Sequence, residues 1–123
     1  MNKNFTVSKY RSRKIKKRNK YYAPEGHKLR SKGEFIIEQW LHENGVQHIY
    51  EPKSSEYAKY VPDWLTASRH IVEFFGYYEA RKEYKERTQK KIKYFKRKFG
   101  KKFIAVYYDD LSNLDEVLKP VLK

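Results

Sequence analysis

Apolar residues recur along the chain at two spacings, which together predict an alternation of helices and strands. Short runs rich in β-branched and aromatic residues are typical of buried strands. Four such runs lie at residues 46–50, 60–65, 70–75 and 103–108. Apolar residues three or four positions apart, bounded by capping and stop residues, predict helices instead. The predicted helices cover residues 31–44, 79–99 and 112–118.

The predicted order of elements is α-β-β-β-α-β-α. Three strands in near-direct succession predict an antiparallel meander, and the long helix then returns the chain so that the fourth strand lies parallel to a neighbour. We therefore predict the α/β (α+β) class, with a mixed four-stranded sheet flanked by helices. The fourth strand is very apolar, so we expect it to be central.

Local signals give the expected ends of the helices. Ser31 with Glu34 three residues later is the capping-box pattern at the start of the first helix. Gly45 is a typical C-terminal stop. Ser112 is expected to cap the last helix, with Pro120 beyond its end.

Two acidic residues fall inside runs that are predicted to be buried. Asp63 lies in the run 60–65, and Glu73 lies in the run 70–75. Burying an isolated carboxylate is costly, so each must be paired, protonated or bound to a metal. Two such acids on adjacent strands predict a divalent-metal site. The alternatives are a turn-forming Pro-Asp pair for Asp63, and a structural salt bridge to the long helix for Glu73.

One lysine of the long helix is predicted to point toward the sheet. At 100° per residue, Tyr84, Thr88 and Phe95 share an apolar stripe that should face the strands. Lys91 falls inside this stripe, whereas Lys90 falls well outside it. Lys91 is therefore predicted to approach the two acids. The alternative is that its stem packs while its amine extends to solvent.

Glu34 is a further acid for the same site, because it shares a helical face with Ile37 and Leu41. The alternative is that it only serves the capping box that begins at Ser31. Glu38, one turn further along, is the alternative carboxylate.

The net charge is +14, and most of it lies in the first quarter of the chain. Residues 1–32 contain twelve Lys and Arg and one acidic residue. Cations that neutralise phosphates release counterions, so this charge predicts a nucleic-acid partner, DNA or RNA. A solubilising tail and a contact with an anionic membrane are the alternatives. The residues expected to contact DNA are Arg11, Arg13, Lys14, Lys16, Lys17, Arg18, Lys20, Arg30, Lys32, Arg81 and Lys82.

The length of 123 residues predicts one domain. We assign residues 1–28 to a flexible nucleic-acid-binding arm and residues 29–123 to a single domain. Within the arm, residues 1–22 are expected to be disordered until they meet DNA or RNA. There is no cysteine, no run long enough to span a membrane and no apolar segment behind the basic N-terminus. These features predict a cytoplasmic protein without disulfides and without a membrane partner.

The chain resembles the PD-(D/E)xK nuclease superfamily, which has the restriction-endonuclease-like fold and an αβββαβ core. Pro62-Asp63, followed after nine residues by Glu73 on an apolar strand, matches the metal-binding half of its motif. The segment from Arg30 to Glu34 resembles the helix that supplies an extra acid in many members. The likeness covers residues 30–110.

One branch of that superfamily carries the closest pattern. Its third strand reads E-h-h-G, as Glu73 to Gly76 does here, and its catalytic lysine comes from the following helix, where Lys91 lies. The usual lysine, two residues after the glutamate, is replaced by Phe75. Either Lys91 has taken over the role, or the site has lost a catalytic group.

The resemblance implies a metal-dependent DNA endonuclease, a hydrolase acting on double-stranded or branched DNA in a prokaryotic or phage-infected cell. It implies that Mg²⁺ or Mn²⁺ is held by Asp63, Glu73 and Glu34, and that Lys91 completes the catalytic set. A catalytically inactive nucleic-acid-binding protein, a Holliday-junction resolvase-type nuclease acting as a homodimer, and an RNA-associated structural protein are the alternatives.

Overall fold

The structure, a computed structural model, describes residues 21–57, 59–76 and 82–123. The chain divides into two compact units, Met1–Gly45 and Val46–Lys123. Each unit has its own secondary structure, and each is described by itself below. The acids Asp63 and Glu73 and the lysine Lys91 all belong to the second unit.

The first unit contains a small hairpin where the charge pattern predicts the end of a flexible arm. Strand β1, Tyr21–Tyr22, pairs antiparallel with strand β2, Lys28–Leu29. The tight turn between them is closed by the Ala23 N–H, which donates to the His27 carbonyl at 2.8 Å. Tyr21 and Tyr22, the last residues of the segment expected to be disordered, therefore lie in a strand, and Leu29 of the partner strand is buried. The rest of that segment lies outside the described residues.

Helix α1, Lys32–Glu43, begins and ends where the sequence predicts. The Ser31 hydroxyl accepts the Glu34 N–H at 3.1 Å, which confirms the N-cap. The Glu34 carboxylate, however, accepts the Arg30 N–H at 3.1 Å, one residue before the partner that a capping box requires. Gly45 has a φ of 68°, in the left-handed region that a C-terminal stop uses.

The second unit is built on a mixed four-stranded sheet. Its strands are β3, His48–Tyr50, β4, Trp64–Thr66, β5, Ile71–Phe75, and β6, Phe103–Tyr107. They lie side by side in this order, with β3-β4 and β4-β5 antiparallel and β5-β6 parallel. The predicted meander and the predicted parallel return are both confirmed.

Two details of the predicted sheet are wrong. Strand β6 lies at the edge of the described sheet rather than at its centre. Its apolar character reflects packing instead, since Ile104 and Val106 are buried and the Phe103 ring stacks on Phe95 at 5.3 Å. Strand β4 begins at Trp64, so Asp63 precedes the strand. The late start of the strand fits Pro62, which has no N–H to donate to a ladder.

Helix α2, Lys82–Phe99, packs against this sheet through the predicted apolar stripe. Phe95 is fully buried and forms a core with Tyr57 and Ile71. Gly100, with a φ of 56°, ends the helix. The predicted start of the helix, at residue 79, lies outside the described residues. None of the helices in the described part of the chain is long and apolar enough to cross a membrane.

The last helix is displaced from its predicted position. Residues Tyr108–Asn113 form 3₁₀ turns that include Ser112, and helix α3 runs over Leu114–Leu122. Ser112 is therefore not the cap, and Pro120 lies inside the helix rather than beyond it. Leu114 and Leu118, one turn apart, are both buried, so the helix packs through the part that precedes the proline.

Removing the Phe95 ring should destabilise the second unit strongly. We expect Phe95→Ala to lower the free energy of unfolding by about 3–5 kcal/mol, because it deletes a fully buried aromatic side chain and leaves a cavity. Tyr108→Ala, at a residue that is 67% exposed, is the control and should change it by less than about 0.5 kcal/mol. Chemical denaturation measures both. Equal losses in the two variants would contradict this account of the core.

Candidate metal centre

Asp63 and Glu73 are held together by an exchange of hydrogen bonds. The Asp63 N–H donates to Glu73 Oε1 at 2.8 Å, and the Phe74 N–H donates to Asp63 Oδ2 at 2.8 Å. Each carboxylate thus accepts a backbone N–H from the segment that carries the other carboxylate. Both residues are buried, with 7% of Asp63 and 1% of Glu73 exposed. The exchange fixes two carboxylates side by side.

Strand register explains why these two residues meet. In the antiparallel pair β4-β5, Trp64 lies opposite Val72. One further step along the same register brings Asp63 opposite Glu73. The ladder does not continue there, because the Asp63 N–H is taken by the glutamate side chain. The two acids therefore close the end of the β4-β5 ladder with side-chain bonds.

Lys91 completes the cluster from helix α2. Its Nζ lies 2.5 Å from Glu73 Oε2, as the inward angle of the helix predicts. About 30% of the Lys91 side chain is exposed, so its stem packs inside while one side of it meets solvent. This contact is also the helix-to-strand salt bridge that was the structural alternative for Glu73. The ion pair and a role in a metal site are compatible.

The ion pair keeps Lys91 protonated. Burial by itself lowers the pKa of Lys91, but the charge of Glu73 and the hydrogen bond to it outweigh burial. Asp63 and Tyr84 add to this effect, so the pKa lies above the ordinary lysine value of 10.5. At neutral pH the side chain is therefore a cation and a hydrogen-bond donor, and in this arrangement it is not a proton acceptor.

The chemistry of these side chains fits a hard divalent cation. Mg²⁺ and Mn²⁺ prefer oxygen ligands, and Asp63 and Glu73 supply carboxylate oxygens from two adjoining segments. Their backbone hydrogen bonds orient both carboxylates, as hydrogen bonds to metal ligands commonly do. The arrangement can hold a metal ion next to an ammonium group.

A cavity of about 310 Å³ adjoins the cluster, and Lys91 forms part of its wall. Aromatic rings line one part of it, those of Tyr60, Phe74, Phe75 and Tyr84. Polar and charged side chains line the rest, those of Arg87, Thr88, Lys90 and Lys91. Sequence analysis missed Arg87 and assigned Lys90 to the outer side of the helix. The spacing of Tyr84, Arg87 and Lys91, three and four residues apart, was the available signal.

Glu34, the predicted third acid, belongs to the first unit. It is buried, and its carboxylate accepts the Arg30 N–H. Glu38, the alternative acid, is fully buried and lies 3.8 Å from the His27 ring. A role for Glu34 in binding metal stays a prediction.

The residues predicted to contact DNA fall into two groups. Arg30, Lys32 and Lys82 are exposed, as a contact with DNA requires. The others, which are the basic residues of 1–20 and Arg81, lie outside the described residues. Their contacts with DNA stay predictions.

No family model, curated protein or solved structure matches this chain. The likeness to the PD-(D/E)xK nucleases therefore depends on the residues quoted above.

Removing the Lys91 amine should destabilise the protein, because it leaves the Glu73 carboxylate buried without its cation. We expect Lys91→Met to lower the free energy of unfolding by about 1–3 kcal/mol, less than for a fully buried pair because Lys91 is partly exposed. Since the pKa of Lys91 is raised on folding, this stabilisation is fully present below pH 10.5 and is lost as the pH rises through the higher folded-state value.

A double-mutant cycle with Glu73→Gln is the control for this prediction. Glutamine retains an oxygen that can accept the Asp63 N–H but carries no charge. The cost of Lys91→Met should therefore shrink by at least about 1 kcal/mol in the Glu73→Gln background. Denaturant unfolding measures all four proteins, and strictly additive losses would show that the ion pair does not contribute.

Proposed function

We propose that this protein is a metal-dependent endonuclease that hydrolyses phosphodiester bonds in DNA. The observation that carries the proposal is the convergence of Asp63, Glu73 and Lys91, with hydrogen bonds and an ion pair joining three separate segments. Two hard carboxylates and an ammonium group form a set suited to phosphate chemistry. The PD-(D/E)xK likeness of the sequence is consistent with it.

In this proposal Asp63 and Glu73 hold Mg²⁺ or Mn²⁺. When bound, such an ion polarises the scissile phosphate and lowers the pKa of a coordinated water. The chain contributes by fixing the carboxylates beforehand, since both already accept backbone N–H groups. Little side-chain freedom remains to be lost when the metal binds.

Lys91 acts in this proposal as a cation that stabilises charge developing on phosphate oxygens. Its raised pKa keeps the proton on Nζ at neutral pH, so it donates hydrogen bonds and does not serve as the base. Phe75 occupies the position where a strand lysine is usual, and it is 3% exposed within the core. The ammonium group of Lys91 comes from helix α2 instead of from the strand, and it contacts Glu73.

DNA is the proposed substrate because the PD-(D/E)xK likeness implies it and the charge of the chain suits a polyanion. The net charge of +14 favours a polyanion, and contacts from Lys and Arg to phosphates fix its position without reading sequence. A cytoplasmic location is part of the proposal.

An inactive nucleic-acid-binding protein is the second proposal. The burial of Phe75 in the usual lysine position favours it.

Cleavage of supercoiled plasmid, branched DNA and single-stranded DNA with Mg²⁺ or Mn²⁺ tests the first proposal. We expect cleavage by the wild type and a loss of at least about 100-fold in Asp63→Asn, Glu73→Gln and Lys91→Met, because each removes a charge from the reacting site. Lys93→Met, at an exposed residue of the same helix, is the matched control and should cleave normally.

Calorimetry with Mn²⁺ separates the roles of the residues. Asp63→Asn should abolish Mn²⁺ binding, because Asp63 is a proposed ligand. Lys91→Met should retain Mn²⁺ binding, because Lys91 is not. Binding of Mn²⁺ with no cleavage of supercoiled, branched or single-stranded DNA would favour the second proposal.

A further inference from the structure

The cavity beside the metal centre combines two kinds of wall. Tyr60 and Tyr84 contribute half-buried aromatic side chains, and Arg87 and Lys90 contribute cations. No acidic residue is among the lining residues within the described part of the chain. Rings bind the flat faces of bases, and cations bind phosphates. The chemistry of the wall therefore matches a nucleotide, which has both parts.

The size of the cavity limits what can enter it. At about 310 Å³ it lies at the small end of the range for small-molecule sites, which is roughly 300–1,000 Å³. A stacked and paired base is held within a duplex and must leave the stack to enter a pocket of this kind. The cavity therefore suits one unpaired nucleotide and does not suit an intact duplex.

The cavity is coupled to the acids through shared residues. Phe74 is among the residues that line the cavity, and it donates its backbone N–H to Asp63. Lys91 lines the cavity and contacts Glu73. A nucleotide in the cavity would thus have its phosphate close to the side chains proposed to act on it.

We propose that this cavity binds an unpaired nucleotide of the DNA, so that the substrate class is DNA with a bulge, flap or junction rather than uninterrupted duplex. This inference depends on the proposed nuclease function, since it names the substrate of the same site. Tyr84 supplies a stacking surface, and Arg87, whose guanidinium lies 6.0 Å from the centre of the Tyr84 ring, supplies a phosphate contact.

Binding of fluorescent DNA by the full chain in EDTA tests the proposal without cleavage. The probes are a duplex, the same duplex with one unpaired nucleotide, and that bulged duplex with an abasic site at the unpaired position. We expect the bulged duplex to bind at least about tenfold more tightly than the intact duplex, because its base is already out of the stack. The abasic probe should lose this preference.

Variants of the cavity residues distinguish binding of an unpaired nucleotide in the cavity from a general affinity for bent DNA. Tyr84→Leu should lower affinity for the bulged duplex about fivefold or more and leave the intact duplex unchanged. Arg87→Gln should weaken binding to all probes and reduce the salt dependence by about one phosphate contact. Tyr108→Leu, at an exposed ring outside the cavity, is the control and should change neither.

The outcomes distinguish this inference from the proposed function when cleavage of supercoiled plasmid, branched DNA and single-stranded DNA is measured on the same preparations. Cleavage by the wild type together with equal affinity for intact and bulged duplex would overturn the cavity proposal alone. A preference for the bulge that depends on Tyr84, without cleavage of any DNA, would support the cavity as a binding site and overturn the nuclease proposal. A preference that survives in Tyr84→Leu and with the abasic probe would also overturn the cavity proposal.

Discussion

The exchange of hydrogen bonds between the Asp63 and Glu73 segments is the interaction on which the candidate site depends. It replaces the next step of the β4-β5 ladder with side-chain acceptors, so backbone N–H groups that would otherwise pair with carbonyls orient two carboxylates. Pro62 favours this, because a residue without an N–H stands where the ladder ends. A local interruption of the sheet thereby becomes a place for charged groups.

Burial of the two carboxylates makes this arrangement costly in free energy unless their charges are compensated. Carboxylates removed from water need hydrogen bonds and a cation, and here the backbone supplies the first and Lys91 supplies the second. The lysine can do so because the Phe95 side of helix α2 packs into the core and fixes the rotation of the helix. Packing far from the acids therefore determines which lysine meets them. The raised pKa of Lys91 is the electrostatic result.

Much of the second unit could be predicted from the sequence because its signals are local. The period of the helix identified Lys91, and the runs of β-branched residues identified both acids. The position of β6 at the sheet edge could not be predicted from the sequence. The apolar content of a strand indicates that it is buried but not which strands lie beside it. Helix α3 was misplaced because Pro120 is normally a stop, whereas the helix continues through it.

The cavity also could not be predicted from the sequence. It depends on how side chains from the β4-β5 region and helix α2 meet, and Lys90 joins it although its angle on the helix points away from the stripe. In the first unit, Glu34 has the expected position after Ser31, but its carboxylate bonds to Arg30 rather than to the cap. Single-residue contacts of this kind are set by packing and not by pattern.

A crystal structure of the protein soaked in Mn²⁺ tests the central claim most directly, because anomalous scattering locates the ion independently of any activity. The account predicts an anomalous peak in contact with carboxylate oxygens of both Asp63 and Glu73, with the Lys91 ammonium beside it. An ion bound elsewhere, with Glu73 and Lys91 still paired as they are now and no peak at the two acids, would contradict it.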